Sequence, residues 1–202
     1  MSTRDRVVAA AAGLFADRGY SGTTIEEIEA AAGLSPGSGS LYRHFRSKRE
    51  LLDAVVTAQL LATAATAEEL HQGPLPDDLR ARLHAVFTLT ISRLERSRDL
   101  IRMLLRESRT FPELVGRLRD EAMSHFHHSL TGWLLSQPEL HQADPERVGR
   151  VAAVAIAAVS HYWFLRDSFE VDPYSLDESS FVATVVEITL TLLHPTTERD
   201  SS

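Results

Sequence analysis

The 202-residue sequence contains no cysteine. That excludes disulfides, thiolate zinc sites and cysteine nucleophiles. It is also short of positive charge, with 21 Lys and Arg against 28 Asp and Glu and a formal net charge of −7. Spread evenly, that charge would repel a polyanion. The longest uncharged run, Val151 to Leu165, has 15 residues, too few to span a membrane. No nucleophile elbow, HExxH motif or paired-carboxylate signature occurs. Gly37-x-Gly39 lacks the third glycine and the preceding strand of a nucleotide-binding loop. Alternating strand patterns and internal repeats are missing as well. A chain of this length can bury about 70% of its unfolded surface. The expectation is an all-α, soluble, cytoplasmic protein with no catalytic residue, no metal, no cofactor and no membrane partner.

What is present begins at the N-terminus. The first 19 residues place Val7, Val8, Ala11, Leu14 and Phe15 on one helical face, with Asp5 and Asp17 flanking the apolar stretch. That reads as a helix of a folded domain rather than a signal peptide. Thr24 with Glu27 is a capping box, and Thr23 with Glu26 would serve equally. Ile25, Ile28 and Ala32 follow at helical spacing, and Gly33 can take the left-handed conformation that ends a helix. Ser35-Pro36 supplies a cap and a proline for a second helix, anchored by Leu41 and Phe45. Ser38, Ser40, Tyr42, Arg43 and His44 then project outward, as a helix-turn-helix presents its second helix to the major groove. Ser47-Lys48-Arg49-Glu50 is a further capping box, whose helix N-terminus could hold a phosphate.

Charge agrees. Between Ala30 and Arg49 there are four cations (Arg43, Arg46, Lys48 and Arg49) and no acid. Up to Leu52 the chain has 7 Lys or Arg and 6 Asp or Glu, which leaves 14 and 22 for the remainder. The repulsive charge therefore lies elsewhere, and a local patch can attract phosphates.

The stretches Phe15-Ala16-Asp17-Arg18-Gly19-Tyr20, Gly22-Thr23-Thr24, Ala32-Gly33-Leu34-Ser35, Leu41-Tyr42-Arg43-His44-Phe45, Ser47-Lys48 and Leu51-Leu52, with Ile28, resemble the DNA-binding domain of the tetracycline-repressor (TetR/AcrR) regulators. The resemblance covers about 50 residues. It implies backbone contacts to DNA from Thr24, Tyr42, His44 and Lys48, and base contacts from Ser38 and Ser40. The family's usual turn, Gly-Val-Ser-x-Gly-x-Leu-Tyr, is two residues shorter than Gly33 to Tyr42 here. Either the recognition helix gains a half-turn or the turn loops out, since two glycines disfavour helix by roughly 1 kcal/mol each. Small hydroxyls read bases weakly, so discrimination would lean on Tyr42, Arg43 and DNA shape.

Beyond residue 50 the pattern predicts helices over 48–70, 77–95, 98–108, 113–136, 145–167 and 176–193, with a break at His71-Gln72-Gly73-Pro74. The expected organisation is a three-helix DNA-binding domain over 1–50, a helical effector and dimerisation domain over 51–194, and a polar tail over 195–202. Val148, Val151, Ala155, Val159 and Tyr162 form one stripe, and Phe181, Val185, Ile188 and Leu192 another. Helices apolar nearly all round must be covered on both sides. The family pairs its last two helices into a four-helix bundle, so these stripes are the expected homodimer interface. A two-fold dimer would read a palindromic operator on double-stranded DNA.

A small-molecule effector is expected in the middle of the chain. Candidate lining residues are Phe87, Ile91, Met103, Met123, Phe126, His127, Trp133, His161 and Trp163. The Met123, Phe126, Leu130 and Trp133 stripe fits a core as well as a pocket. His161 is either a core histidine or a polar contact in an apolar cavity. His125 and His128 share a face, yet two imidazoles without an acid make a poor metal site. Arg98, Arg102, Arg106 and Arg109 form a solvated face, or some of them receive an anionic effector or couple to the helix that starts at Lys48. Most of the family repress transcription, which implies a repressor released by its effector. The alternatives are a DNA-binding regulator without an effector and an all-α enzyme.

Overall fold

The computed structural model describes residues 1–69 and 76–194; the break expected at His71–Pro74 and the tail from Pro195 lie outside them. Among the described residues the regular structure is entirely helical. Packing divides the chain differently from a cut at residue 50. One compact unit is Met1–Ala65 with Arg96–Met123, and the other is Thr66–Glu95 with the chain from Ser124 onward.

In the first unit, α1 (Thr3–Arg18) opens on a capping box, with the Asp5 N–H donating to Ser2 Oγ at 3.1 Å and the Ser2 N–H to Asp5 Oδ2 at 2.9 Å. It is followed by α2 (Ile25–Ala31), a short 3-10 turn (Ser40–Arg43) and α3 (Lys48–Glu69). Two later helices join the unit, α5 (Arg98–Arg106) and α6 (Pro112–Arg117). Val7, Ala11 and Phe15 of α1 meet Ile28, Leu41, Phe45, Leu51, Leu52, Val55 and Val56, closed by Met103, Leu104 and Leu114. Each large apolar side chain fully withdrawn from water contributes roughly 1.5–3 kcal/mol. This shared core is why α5 and α6 belong with the N-terminal helices.

The end of α1 is fixed from two directions. Thr23 is buried, and its hydroxyl donates to the carbonyls of Gly19 at 2.9 Å and Leu14 at 3.2 Å. From α5, Glu107 accepts the Tyr20 N–H at 2.8 Å and Arg106 donates to the Asp17 carbonyl at 3.0 Å. Between them Gly19 takes φ 76° and ψ 168°, a region that only glycine occupies readily.

The second unit contains α4 (Leu79–Arg96), α7 (Ser124–Leu135), α8 (Pro145–Phe169) and α9 (Glu178–Leu193). The helix expected over 113–136 is interrupted by a π-helical stretch, Leu118–Met123. Such a stretch adds residues to the turn and rotates the following face. Met123 is therefore exposed while Phe126, Leu130 and Trp133 are buried. The sequence places α8 behind Asp144-Pro145, and the Asp144 carboxylate indeed accepts the N–H groups of Glu146 and Arg147. For α9 the cap is Asp177, which accepts the Ser180 N–H at 2.9 Å. Ser175 sits at φ 56° outside the helix.

Replacing Gly19 with Ala should lower stability by about 1–3 kcal/mol, since the new Cβ combines a forbidden backbone region with contact to Glu107 Oε1 at 3.0 Å. Urea unfolding reads the loss; an unchanged midpoint would contradict this account of the α1 terminus.

Candidate nucleic-acid interface

The segment from Thr24 to Lys48 is built from local rules that differ at its two ends. At the start, Thr24 Oγ1 accepts the Glu27 N–H at 3.2 Å and Glu27 Oε2 accepts the Thr24 N–H at 2.7 Å. Thr24, not Thr23, is thus the N-cap of α2. Arg18 adds a 2.8 Å bond to the second Glu27 oxygen. The Thr24 N–H and hydroxyl, with Arg18 behind them, hold the Glu27 carboxyl below its ordinary value.

At the end of α2, the Gly33 N–H donates to the Ala30 carbonyl and the Leu34 N–H to the Glu29 carbonyl, with Gly33 at φ 70°. These paired bonds are a Schellman termination. The second helix does not begin at Ser35-Pro36. Gly37 and Gly39 take φ 72° and 69°, the turn loops out, and only the 3-10 turn Ser40–Arg43 follows. Left-handed glycines cannot continue an α-helix, which is the physical reason the expected helix is shortened. Leu41 and Phe45 are buried beneath this turn as anticipated.

The side chains named from the sequence fall into three groups. Tyr42, Arg43 and His44 are exposed, with Tyr42 at 56%. Among the described residues, neither Arg43 nor Arg46 has an acidic side-chain partner. Ser38 and Ser40 lie side by side with their hydroxyls 2.6 Å apart, so each is already partnered by the other. Lys48 and Arg49 are turned into the domain. The Lys48 ammonium stands 4.3 Å over the Tyr20 ring, where burial lowers its pKa against the opposing pull of Glu107 and Glu27. Arg49 stacks on Phe111 and pairs with Glu113 at 2.5 Å. Ser47 Oγ caps the Glu50 N–H, while Glu50 reaches back to Arg46 N rather than to Ser47.

The description "Bacterial regulatory proteins, tetR family" matches residues 7–55, the stretch that holds this geometry. Over residues 7–55 the chain therefore carries a tetR-family segment. It is 46% identical over 55 residues to the HTH-type transcriptional repressor KstR2 of Mycolicibacterium smegmatis, 27% of this chain and 26% of that one. Against KstR2 of Rhodococcus jostii it is 35% identical over 98 residues, 48% of this chain and 46% of that one. These matches thus span less than half the length of those two relatives. A Mesorhizobium loti structure provisionally assigned to the tetR family superposes with a TM-score of 0.74 at 17% identity, covering 94% of this chain and 96% of the other. That likeness shows the tetR fold over nearly the whole length.

One residue that matters here escaped the sequence reading. Glu29 is buried, and its carboxylate accepts the N–H groups of Gly37 at 2.8 Å and Leu41 at 3.0 Å. The signal was present: with Ile25, Ile28 and Ala32 it completes the i, i+3, i+4, i+7 face of α2, an acid at a core position.

Other expected site residues are redistributed. Met103 belongs to the first unit's core and Met123 is exposed, so neither joins the remaining pocket candidates. His161 is exposed on α8 and lines no interior. Phe87, Ile91, Phe126, Trp133 and Trp163 are buried in the second unit. His127 is half-buried, its Nε2 donating to the Gly149 carbonyl at 2.9 Å. The dimer stripes need the larger correction. Val148, Val151, Ala155, Val159, Tyr162 and Val185 are buried inside their own chain, and Phe181 stacks on Tyr162 at 3.9 Å. They have little surface left for a partner. Of the nine, Ile188 and Leu192 are exposed. The outward stripe of α8 is instead Val154, Ala157, His161 and Phe164.

Thr24→Ala should destabilise the protein by ~1 kcal/mol, the usual size of a lost N-cap. Because the folded Glu27 pKa is depressed, the bond's contribution is present above the ordinary glutamate value and lost as pH falls through the folded one. The gap between wild type and a Glu27→Gln variant, which keeps the Thr24 cap but removes the titrating carboxylate, should close in acid when measured by urea unfolding. A gap independent of pH would contradict the assignment.

Proposed function

We propose that this tetR-family chain is a sequence-specific DNA-binding transcriptional regulator, a repressor released from a palindromic operator by a small-molecule effector. One observation carries the reading: a core-backed turn presents Tyr42, Arg43 and His44 to solvent beside Arg46, and among the described residues neither arginine has an acidic side-chain partner. That arrangement suits phosphate and base-edge contact rather than catalysis. Thr24, Ser38 and Ser40 border the same surface, with Lys48 partly withdrawn behind it. The repressor assignment is supported by the KstR2 relatives, both described as transcriptional repressors. A cytoplasmic location goes with this role.

TetR-family regulators typically act as dimers. We place the homodimer on the outward stripe of α8, Val154, Ala157, His161 and Phe164, together with Ile188 and Leu192 of α9. An exposed apolar stripe of this kind is costly to leave in water. The alanine allows close helix approach.

An effector site within the second unit is supported by three buried polar atoms that have no hydrogen-bond partner among the described residues, Trp163 Nε1, Thr131 Oγ1 and Arg82 Nε. Buried polar groups are normally satisfied, and a ligand is one way to do it. Ser97 alone separates α4 from α5 along the chain, and Arg106 and Glu107 at the far end of α5 grip the end of α1. The effector then shifts the population of DNA-competent dimers.

Selection of random duplex DNA on the purified protein tests the reading, with a palindromic consensus expected and no enrichment at low salt as the contrary result. Arg43→Ala should weaken binding to every sequence and flatten the salt dependence by about one unit of slope, as for one lost phosphate contact. An unchanged slope would remove Arg43 from the contact set. Phe164→Glu should leave the fold intact and convert the dimer to monomer by light scattering; a dimer that persists would move the interface elsewhere.

A further inference from the structure

The looped-out turn raises a question of register. Between the end of α2 and the 3-10 turn, seven residues, Leu34 to Ser40, must be held in one shape for Ser38, Ser40 and Tyr42 to point anywhere definite. Two of the seven are glycines, and the stretch has little apolar anchoring of its own. Left alone, such a segment samples many conformations.

Glu29 supplies the missing restraint. Its carboxylate is 0% exposed and reaches across from α2 to the turn. Oε2 accepts the Gly37 N–H at 2.8 Å, and Oε1 accepts the Leu41 N–H at 3.0 Å. Its own carbonyl accepts the Leu34 N–H at 2.8 Å. One residue therefore ties the segment at its beginning, middle and end. The two side-chain ties bracket the Ser38–Ser40 hydroxyl pair and stop one residue short of Tyr42. A buried carboxylate is tolerated only when its oxygens are fully engaged, and charge-assisted bonds to backbone N–H groups are roughly twice as strong as neutral ones.

We propose that Glu29 is the positioning residue of the DNA-reading head, fixing the longer turn so that sequence discrimination depends on it while general DNA affinity does not. It touches no base or phosphate. General affinity resides in Arg43 and Arg46, which lie outside the clamped segment. The proposal rests on the DNA-binding reading above.

The test uses the full-length protein and its selected duplex, with a scrambled duplex of equal length as the non-specific probe. Glu29→Gln keeps size and shape but offers one carbonyl acceptor and one NH2 donor, so it can satisfy only one of the two N–H groups. The ratio of selected to scrambled affinity should fall about tenfold or more, comparable to losing a good base contact. Affinity for the scrambled duplex and its salt slope should stay unchanged. A purely structural role would lower the active fraction and reduce both affinities alike, leaving the ratio intact; that result overturns the proposal. Amide hydrogen exchange on the wild-type protein gives an independent reading that needs no variant. Gly37 and Leu41 should exchange far more slowly than Gly39 between them, and exchange of all three at the rate of open chain overturns the proposal as well. If wild type enriches no sequence, the DNA-reading assignment falls and takes the proposal with it. If wild type discriminates and Glu29→Gln discriminates equally, only the positioning role falls.

Discussion

A carboxylate with no exposed surface constrains everything near it, because each of its oxygens must be given a hydrogen-bond donor. Glu29 meets that requirement only with the backbone of the turn in one arrangement. The turn in turn sets Leu41 and Phe45 into the core, and that core is shared by α1, α2, α3 and α5. The reading surface is thus the outer skin of a packed structure. Exposed Tyr42, Arg43 and His44 have defined positions because what lies beneath them is over-determined.

A second set of ties acts at the far end of α1. Gly19 provides the backbone geometry, Thr23 satisfies its carbonyl, and Glu107 and Arg106 of α5 hold its two flanks. Lys48 then lies on Tyr20, the residue whose N–H Glu107 accepts. The cation on this path is partly desolvated and serves packing before it serves DNA. Charge near a DNA-binding segment is therefore not uniformly available. Of the four cations between Ala30 and Arg49, two are invested in the domain and two face solvent.

Local chemistry was legible in the sequence wherever one residue type answers one physical need. The Thr24–Glu27 box, the Gly33 termination, the Asp144-Pro145 start and the helical class could all be read directly. The turn was legible only as a choice, because two glycines permit both a weak helix and a loop; left-handed φ at both decided it. Glu29 was missed because acids on short helices are usually solvated, although its place on the apolar face of α2 marked it. The α8 surface could not be resolved by periodicity. That helix is apolar on nearly every side, so the stripe beginning at Val148 and the outward one at Val154 look alike until packing chooses. The grouping of α5 and α6 with the N-terminal helices depends on contacts distant in sequence, which no local pattern encodes.

With the proposed two-fold dimer, these observations combine into one picture: a reading head held from within, doubled by the dimer axis, meeting the same groove face twice. Hydroxyl-radical footprinting of the protein on its selected duplex tests that picture most directly. The account predicts two protected stretches on one face of the duplex, related by a dyad and centred about 10 base pairs apart. A single protected stretch, or protection without two-fold symmetry, would contradict it.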